Sequence, residues 1–169
     1  MSQSMQKALK TAYEAEKEGL RSYLKFAKET TVASGKNMFL QLALDEVDHM
    51  DMIEKYMDNL LAGKKFEPVT VPKARISEFM PKVSDASRTK TEKSTVSDET
   101  ALKIALAHEE KACSFYKEEA EKAEDAELKA FFLKLSEVEM KHRDIIQAEL
   151  DFMAQDGFWF DAMEFSLEK

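Results

Sequence analysis

The sequence of 169 residues has few of the residues that cross-link or interrupt a chain: one cysteine, three prolines and four glycines. The single Cys113 excludes an internal disulfide framework, and it excludes a cysteine pair for zinc or for a rubredoxin-type iron site. No stretch approaches the roughly 18 consecutive apolar residues of a membrane span, and the N-terminus has no apolar signal segment. These absences predict a single domain, residues 1–169, in a reducing, cytoplasmic compartment.

The residues that are abundant favour long amphipathic helices. Hydrophobic residues make up 44% of the chain and charged residues 34%, a balance typical of helical proteins rather than turn-rich β folds. The formal net charge of -8 argues against a broad nucleic-acid surface, which needs a local excess of Lys and Arg. We therefore predict an all-α fold, with neither a nucleic acid nor a membrane as partner.

All three prolines fall in one segment, between Pro68 and Pro81, and this segment divides the chain in two. We predict two helical hairpins, residues 4–61 and 98–155, joined by a crossover over 62–97 and followed by an aromatic C-terminal tail over 156–169. The predicted helices span about 4–29, 33–61, 98–123 and 126–155, and a short helix is expected over 74–80. This order gives a four-helix bundle with one long crossover between helices 2 and 3.

Residues with capping chemistry stand near the predicted helix ends. Thr30-Thr31, Ser97 or Asp98, and Glu124-Asp125 are the candidate N-caps of helices 2, 3 and 4. Gly157 is expected just past the end of helix 4, where glycine is preferred.

The two hairpins resemble each other at a constant offset of 93 residues. Helices of similar composition share leucines and alanines by chance, but chance does not readily place two of only three histidines in register. The chain is therefore an internal repeat. The identical pairs include Glu16/Glu109, Tyr23/Tyr116, Phe39/Phe132, Leu42/Leu135, Glu46/Glu139 and His49/His142.

Each half carries a Glu-x-x-His motif, and residues three apart lie on one face of a helix. At about 100° per residue, both motifs point toward the predicted core, as do the glutamates of helices 1 and 3. Buried carboxylates need partners, and no Lys or Arg recurs on these faces. Two divalent cations would neutralise the four carboxylates. The predicted metal ligands are Glu16, Glu46, His49, Glu109, Glu139 and His142.

Carboxylates mixed with imidazoles suit iron or manganese better than the thiolate-rich sites of structural zinc. One Glu from each of two helices, with Glu-x-x-His from each of the other two, is the di-iron pattern of bundle proteins. We therefore expect two iron ions, while manganese, zinc or a mixed pair would use the same ligands.

With these six residues in register, the chain resembles the ferritin-like di-iron carboxylate superfamily, and within it the rubrerythrins, over about residues 5–155. The resemblance implies that Glu46 and Glu139 bridge the two metals. It also implies that Glu16 and His49 complete one metal position and that Glu109 and His142 complete the other. Tyr23 and Tyr116, each seven residues after a helix-1 or helix-3 glutamate, would donate hydrogen bonds to the carboxylates.

Two departures separate the sequence from rubrerythrins. Ala112 stands where they carry an additional glutamate, and the sequence has no rubredoxin cysteines. The resemblance still implies an oxidoreductase that reacts with hydrogen peroxide or O2, as a peroxide reductase or a ferroxidase. An external electron donor, such as a rubredoxin-like protein, and a homodimer are expected.

Other interpretations stay open. The metal pair could only stabilise the bundle of a non-catalytic iron-binding or helical interaction protein. Oxidation of an organic substrate would need space beside Gly19, where close helix packing is the preferred expectation. His108 is expected at the surface and Cys113 as a buried structural thiol. The aromatic tail is expected either to cap its own bundle or to form a dimer contact.

Overall fold

The computed structural model describes residues 3–62, 90–93 and 96–160. The expected short helix over 74–80 lies outside these residues. Four helices follow the chain: α1 (Gln3–Glu29), α2 (Ala33–Leu61), α3 (Val96–Lys122) and α4 (Ala126–Asp156). The prediction of an all-α four-helix bundle is confirmed, and each predicted helix boundary agrees within two residues.

The helices pack as two hairpins, α1 along α2 and α3 along α4, and α1 also contacts α3. The core lies between the hairpins, where apolar residues at helical spacing are buried. Phe39, Leu42 and Ile53 are all completely buried on α2, as their predicted direction requires. None of the described helices is long and apolar enough to cross a membrane.

The helix ends agree with the predictions only in part. Asp125 caps α4, because its Oδ1 accepts a hydrogen bond of 2.8 Å from the backbone N–H of Leu128. Gly157 ends α4 with a φ of 71°, a left-handed conformation that glycine adopts without strain. Both predictions are confirmed.

The other two cap predictions are wrong. The residue that precedes α2 is Val32, and its side chain makes no cap hydrogen bond. Thr30 instead continues α1 through a backbone N–H bond to the carbonyl of Phe26. Helix α3 begins at Val96, so Asp98 lies inside the first turn. An acidic residue in the first turn still interacts favourably with the helix dipole.

Two short strands accompany the bundle. Strand β1 (Lys90–Lys93) pairs antiparallel with β2 (Phe158–Phe160), and the register shifts between the two ends of the pair. The predicted irregular crossover and aromatic tail therefore meet in a β ribbon. Pairing between residues this far apart in the chain leaves no local sequence signal, which explains why the strands were not predicted.

The ribbon positions Trp159 against the turn between α1 and α2. The indole is completely buried, and its ring lies edge-on to Phe39 with 5.9 Å between centroids. A Cβ atom on Gly35 would stand 2.5 Å from this ring, so glycine is needed for the close approach. The tail was expected either to cap its own bundle or to form a dimer contact. Trp159 caps its own bundle.

Candidate metal centre

The six predicted ligands come from four different helices and meet in the middle of the bundle. α1 and α3 each contribute one glutamate, and α2 and α4 each contribute a Glu-x-x-His motif. All six side chains are at least 97% buried. The residues so placed are Glu16, Glu46, His49, Glu109, Glu139 and His142.

Their ligand atoms form two overlapping groups. One group contains Glu16 and His49, and the other contains Glu109 and His142. Glu46 and Glu139 belong to both groups, and within each group one oxygen or nitrogen per residue lies within 4.8 Å of the others. This is the arrangement that a pair of metal ions with two shared carboxylates requires.

Glu139 shows the sharing most directly. Its Oε1 lies 3.0 Å from Nδ1 of His49, and its Oε2 lies 3.1 Å from Nδ1 of His142. The two imidazole rings are stacked with 5.6 Å between centroids. Each oxygen of one carboxylate therefore faces a different histidine, as expected for a group that bridges two cations.

Burial strongly changes the pKa values of the carboxylates in this cluster. It raises the pKa of Glu46 well above its usual value, and repulsion from Glu16 adds to the effect. Burial, followed by repulsion from Glu139, raises the pKa of Glu109 to about 8. Burial also acts to raise the pKa of Glu139, but the attraction of His49 outweighs it and holds this pKa well below its usual value.

Burial and the neighbouring carboxylates act in opposite directions on the pKa values of the histidines. Burial acts to lower the pKa of His49, but Glu139 and neighbouring carboxylates raise it well above its usual value. The same competition, with Asp45 as the strongest partner, raises the pKa of His142. Without cations, protons therefore balance the negative charge of this cluster. A metal ion needs ionised carboxylates and neutral imidazoles, so its binding must release protons.

The donor set fits a pair of divalent cations. Among the described residues, neither oxygen of Glu46 nor Oε2 of Glu109 accepts a hydrogen bond of good geometry, although Nδ1 of His49 lies 3.3 Å from Oε2 of Glu46. Buried carboxylate oxygens without a partner are costly, and cations would satisfy them. Carboxylate oxygens and imidazole nitrogens are ligands that iron and manganese accept.

The two tyrosines link the hairpins beside this cluster. The hydroxyl of Tyr23 on α1 donates a hydrogen bond to Oε1 of Glu109 on α3. In the reverse direction, the hydroxyl of Tyr116 on α3 donates to Oε1 of Glu16 on α1. Both tyrosines are completely buried. Each terminal glutamate is thus held by a tyrosine of the opposite hairpin; hydrogen bonds from the tyrosines to carboxylates were expected, but their crossing between the hairpins was not.

Asp45 is a functional candidate that the sequence analysis did not identify. It is buried on α2, and its Oδ2 lies 3.2 Å from Nε2 of His142 on α4. Asp45 immediately precedes a ligand, and the corresponding residue of the other half is the buried Val138. A charged residue at a position that is apolar in the other repeat is the signal that could have revealed it.

His108 is not the surface residue that its helical angle predicted. It is half-buried and lies edge-on to Tyr23, with 6.2 Å between ring centroids. Its Nε2 lies 2.7 Å from the point that a Cβ of Gly19 would occupy, and Oε1 of Glu46 lies 3.4 Å from the same point. The prediction was wrong because α1 covers this side of α3. Gly19 provides the room for the imidazole, so close packing replaces an open space there.

Cys113 is the expected buried thiol. Its Sγ contacts the carbonyl oxygen of Ser136 at 3.9 Å, and the Ser136 hydroxyl donates to the carbonyl of Cys113 at 3.1 Å. Burial raises the pKa of this thiol to about 11. A thiol that stays protonated is a poor nucleophile and a poor metal ligand, which supports a packing role between α3 and α4.

Comparison with known proteins agrees with this architecture. Neither the curated proteins nor the solved structures yielded a match. The family model described as Rubrerythrin matches residues 7–150, a range that contains all six clustered residues and both tyrosines. The chain belongs to the rubrerythrin family.

Proposed function

We propose that the protein is a non-haem di-iron oxidoreductase that reduces hydrogen peroxide or O2, as a peroxide reductase or a ferroxidase. The observation that carries this proposal is the pair of overlapping ligand groups that share Glu46 and Glu139. When bound, two ferrous ions supply one electron each, so the O–O bond can be reduced by two electrons without release of a radical.

The ligand chemistry supports iron. Four carboxylates and two imidazoles form a hard, oxygen-rich set, and the protonated thiol of Cys113 adds no soft ligand. Four negative charges balance two divalent ions, while oxidised iron carries more charge. Each carboxylate could bind a metal ion through one oxygen or through both, so the same residues would hold ions of different coordination number.

The residues around the cluster define what the chain itself contributes. Tyr23 and Tyr116 fix the orientation of the two terminal glutamates through hydrogen bonds between the hairpins. Complete or nearly complete burial of the ligands excludes bulk water. The imidazole of His108 fills the space beside Gly19, which disfavours a large organic substrate on that side. A small oxidant suits this enclosed site.

Rapid mixing of the anaerobic ferrous protein with hydrogen peroxide, and separately with O2, tests the proposal. We expect near-ultraviolet charge-transfer absorption to rise rapidly with at least one oxidant, and the relative rates separate a peroxide reductase from a ferroxidase. Reduced rubredoxin, supplied as the electron donor we expect, should then return the absorption to its starting value. Asp51→Asn, an exposed change on α2, is the matched control.

An outcome without absorption change would contradict the proposal. If the protein bound two ferrous ions, gained melting temperature from them and reacted with neither oxidant, the metal pair would serve stability alone. The expected homodimer is tested separately by sedimentation, because the reaction described above requires only the residues of one chain.

A further inference from the structure

The two histidines of the cluster differ in what holds the far side of their rings. On His142, Nδ1 faces the cluster, 3.1 Å from Oε2 of Glu139 and 3.7 Å from Oε1 of Glu109. Its other nitrogen, Nε2, lies 3.2 Å from Oδ2 of Asp45. An ionised carboxylate only accepts hydrogen bonds. In the neutral imidazole that a metal ion requires, Nε2–H of His142 would therefore donate to Asp45, and the lone pair of Nδ1 would be directed at the metal position.

The ring of His49 has different surroundings. Its contacts with carboxylates of the described residues all involve Nδ1, at 3.0 Å from Glu139, 3.2 Å from Glu16 and 3.3 Å from Glu46. The residue that corresponds to Asp45 in the repeat is Val138, which is 1% exposed. A valine side chain cannot accept a hydrogen bond. The repeat therefore supplies a carboxylate to orient one histidine and an apolar side chain in the equivalent place.

We infer that Asp45 is a positioning residue for His142 and makes the metal position formed with Glu109 the tighter of the two. A carboxylate that accepts the far N–H of a ligating imidazole fixes its ring orientation and strengthens its donor nitrogen, and loss of such a partner typically lowers metal affinity about 10- to 100-fold. The inference rests on the metal pair of the proposed function, but it does not depend on the oxidant.

The consequence is an ordered pair rather than two equal ions. The position of Glu109 and His142 binds its ion first and releases it last. The position of Glu16 and His49 binds its ion more weakly and releases it more readily. Both positions share Glu46 and Glu139, so the difference arises outside the bridging carboxylates.

Anaerobic titration with Co²⁺ alone, followed by calorimetry and visible absorption, tests this difference. Glu16→Ala removes a carboxylate of only the His49 group, and Glu109→Ala removes one of only the His142 group. Adding Asp45→Val, which copies the residue of the other repeat, should weaken Co²⁺ binding about 10- to 100-fold in the Glu16→Ala background. In the Glu109→Ala background the same change should alter the affinity less than about twofold.

Two further variants separate positioning from a loss of structure. Asp45→Asn keeps the size of the side chain and one acceptor oxygen, so its effect should lie between those of Asp45 and Val. Asp51→Asn, on the exposed face of the same helix, should leave both affinities unchanged. Melting of each metal-free variant checks that the bundle is folded, and Asp45→Asn carries the test if the valine variant is not.

The outcomes are distinguishable. If wild-type protein binds two Co²⁺ ions with unequal affinity, and only the His142 position responds to Asp45, the inference holds. Equal weakening of both positions, or none, would overturn it and leave the metal pair intact. Failure of wild-type protein to bind Co²⁺ would overturn both the inference and the proposed function.

Discussion

The first hairpin and the second supply the same ligands from the same helical positions, yet they surround them differently. Glu16 corresponds to Glu109, and the motif of α2 corresponds to the motif of α4. Around this common set the residues diverge, because Asp45 is matched by Val138. Binding of the proposed cation pair would constrain the ligands of both halves alike, whereas the residues around the ligands are free to differ.

A second divergence closes one side of the cluster. Gly19 and His108 form a close contact beside Glu46, and the corresponding residues are Ala112 and Ala15, both partly exposed. The first pair thus brings an imidazole next to Glu46, and the equivalent positions carry two alanine methyl groups.

The two ends of the bundle differ as well. At the turn between α1 and α2, Gly35 leaves room for the buried Trp159. The residue that corresponds to Gly35 is Leu128, which lines a cleft of about 310 Å³ beside the turn between α3 and α4. Trp159, which is distant in sequence, thus closes the end beside Gly35. At the end beside Leu128 the described residues leave a cleft.

The largest expected effect comes from removing a residue that both halves share. Glu139→Ala should weaken both metal positions by roughly 100-fold or more, because breaking a buried charged interaction costs about 3 kcal/mol or more. Glu16→Ala and Glu109→Ala should each abolish one position and leave the other. Metal analysis after equilibrium dialysis measures the number of ions bound. One ion retained tightly by Glu139→Ala would contradict a bridging role.

The next largest effect should come from a substitution at the end of the bundle that Trp159 closes. Trp159→Ala should lower the free energy of unfolding by about 3 kcal/mol, because it leaves a cavity between Gly35 and Phe39. Urea unfolding followed by circular dichroism measures the loss, and Leu61→Ala, at a largely exposed position, is the control. Trp159 is the only tryptophan, so red-shifted fluorescence in the native wild type would show that the indole is not buried.

The smallest effect concerns pH and the metal-free cluster. The pKa of Glu109 is about 8 in the fold and about 4.3 in an unfolded chain. Between these values the folded protein binds a proton that the unfolded chain does not, so stability falls as pH rises. His49 and His142 act in the same direction, because their pKa values are also raised.

The melting temperature of metal-free protein should therefore fall by at least about 5 °C between pH 6 and pH 9. In the metal-loaded protein the trend should weaken or reverse, because metal binding releases these protons and strengthens as pH rises. Differential scanning calorimetry of both forms makes the comparison. A metal-free protein that becomes more stable over this range would contradict the buried, proton-holding cluster.

The internal repeat explains how much the sequence could predict. Helical periodicity is local, so the bounds of α2 were predicted to the residue, and the repeat brought Glu16, Glu46 and their counterparts into register. The capping role of Asp125 was also predictable, since the carboxylate reaches a backbone N–H three residues away. These features depend on spacing within one helix or within one hairpin.

What the sequence could not predict depends on contacts between distant segments. The position of Asp45 beside His142 requires α2 and α4 to be adjacent at one level. The half-buried state of His108 follows from the passage of α1 over it, which a single helical projection does not contain. The pairing of β1 with β2 joins a segment that precedes the α3–α4 hairpin in the sequence to one that follows it. Each of these contacts is set by tertiary packing.

The central claim is that the two hairpins hold a pair of metal ions between them. Anomalous diffraction from crystals of protein purified without added metal tests it most directly, with data collected on both sides of the iron absorption edge. We expect two iron peaks, both within bonding distance of Glu46 and Glu139, with His49 bound to one ion and His142 to the other. A single peak, or peaks away from these residues, would contradict the claim.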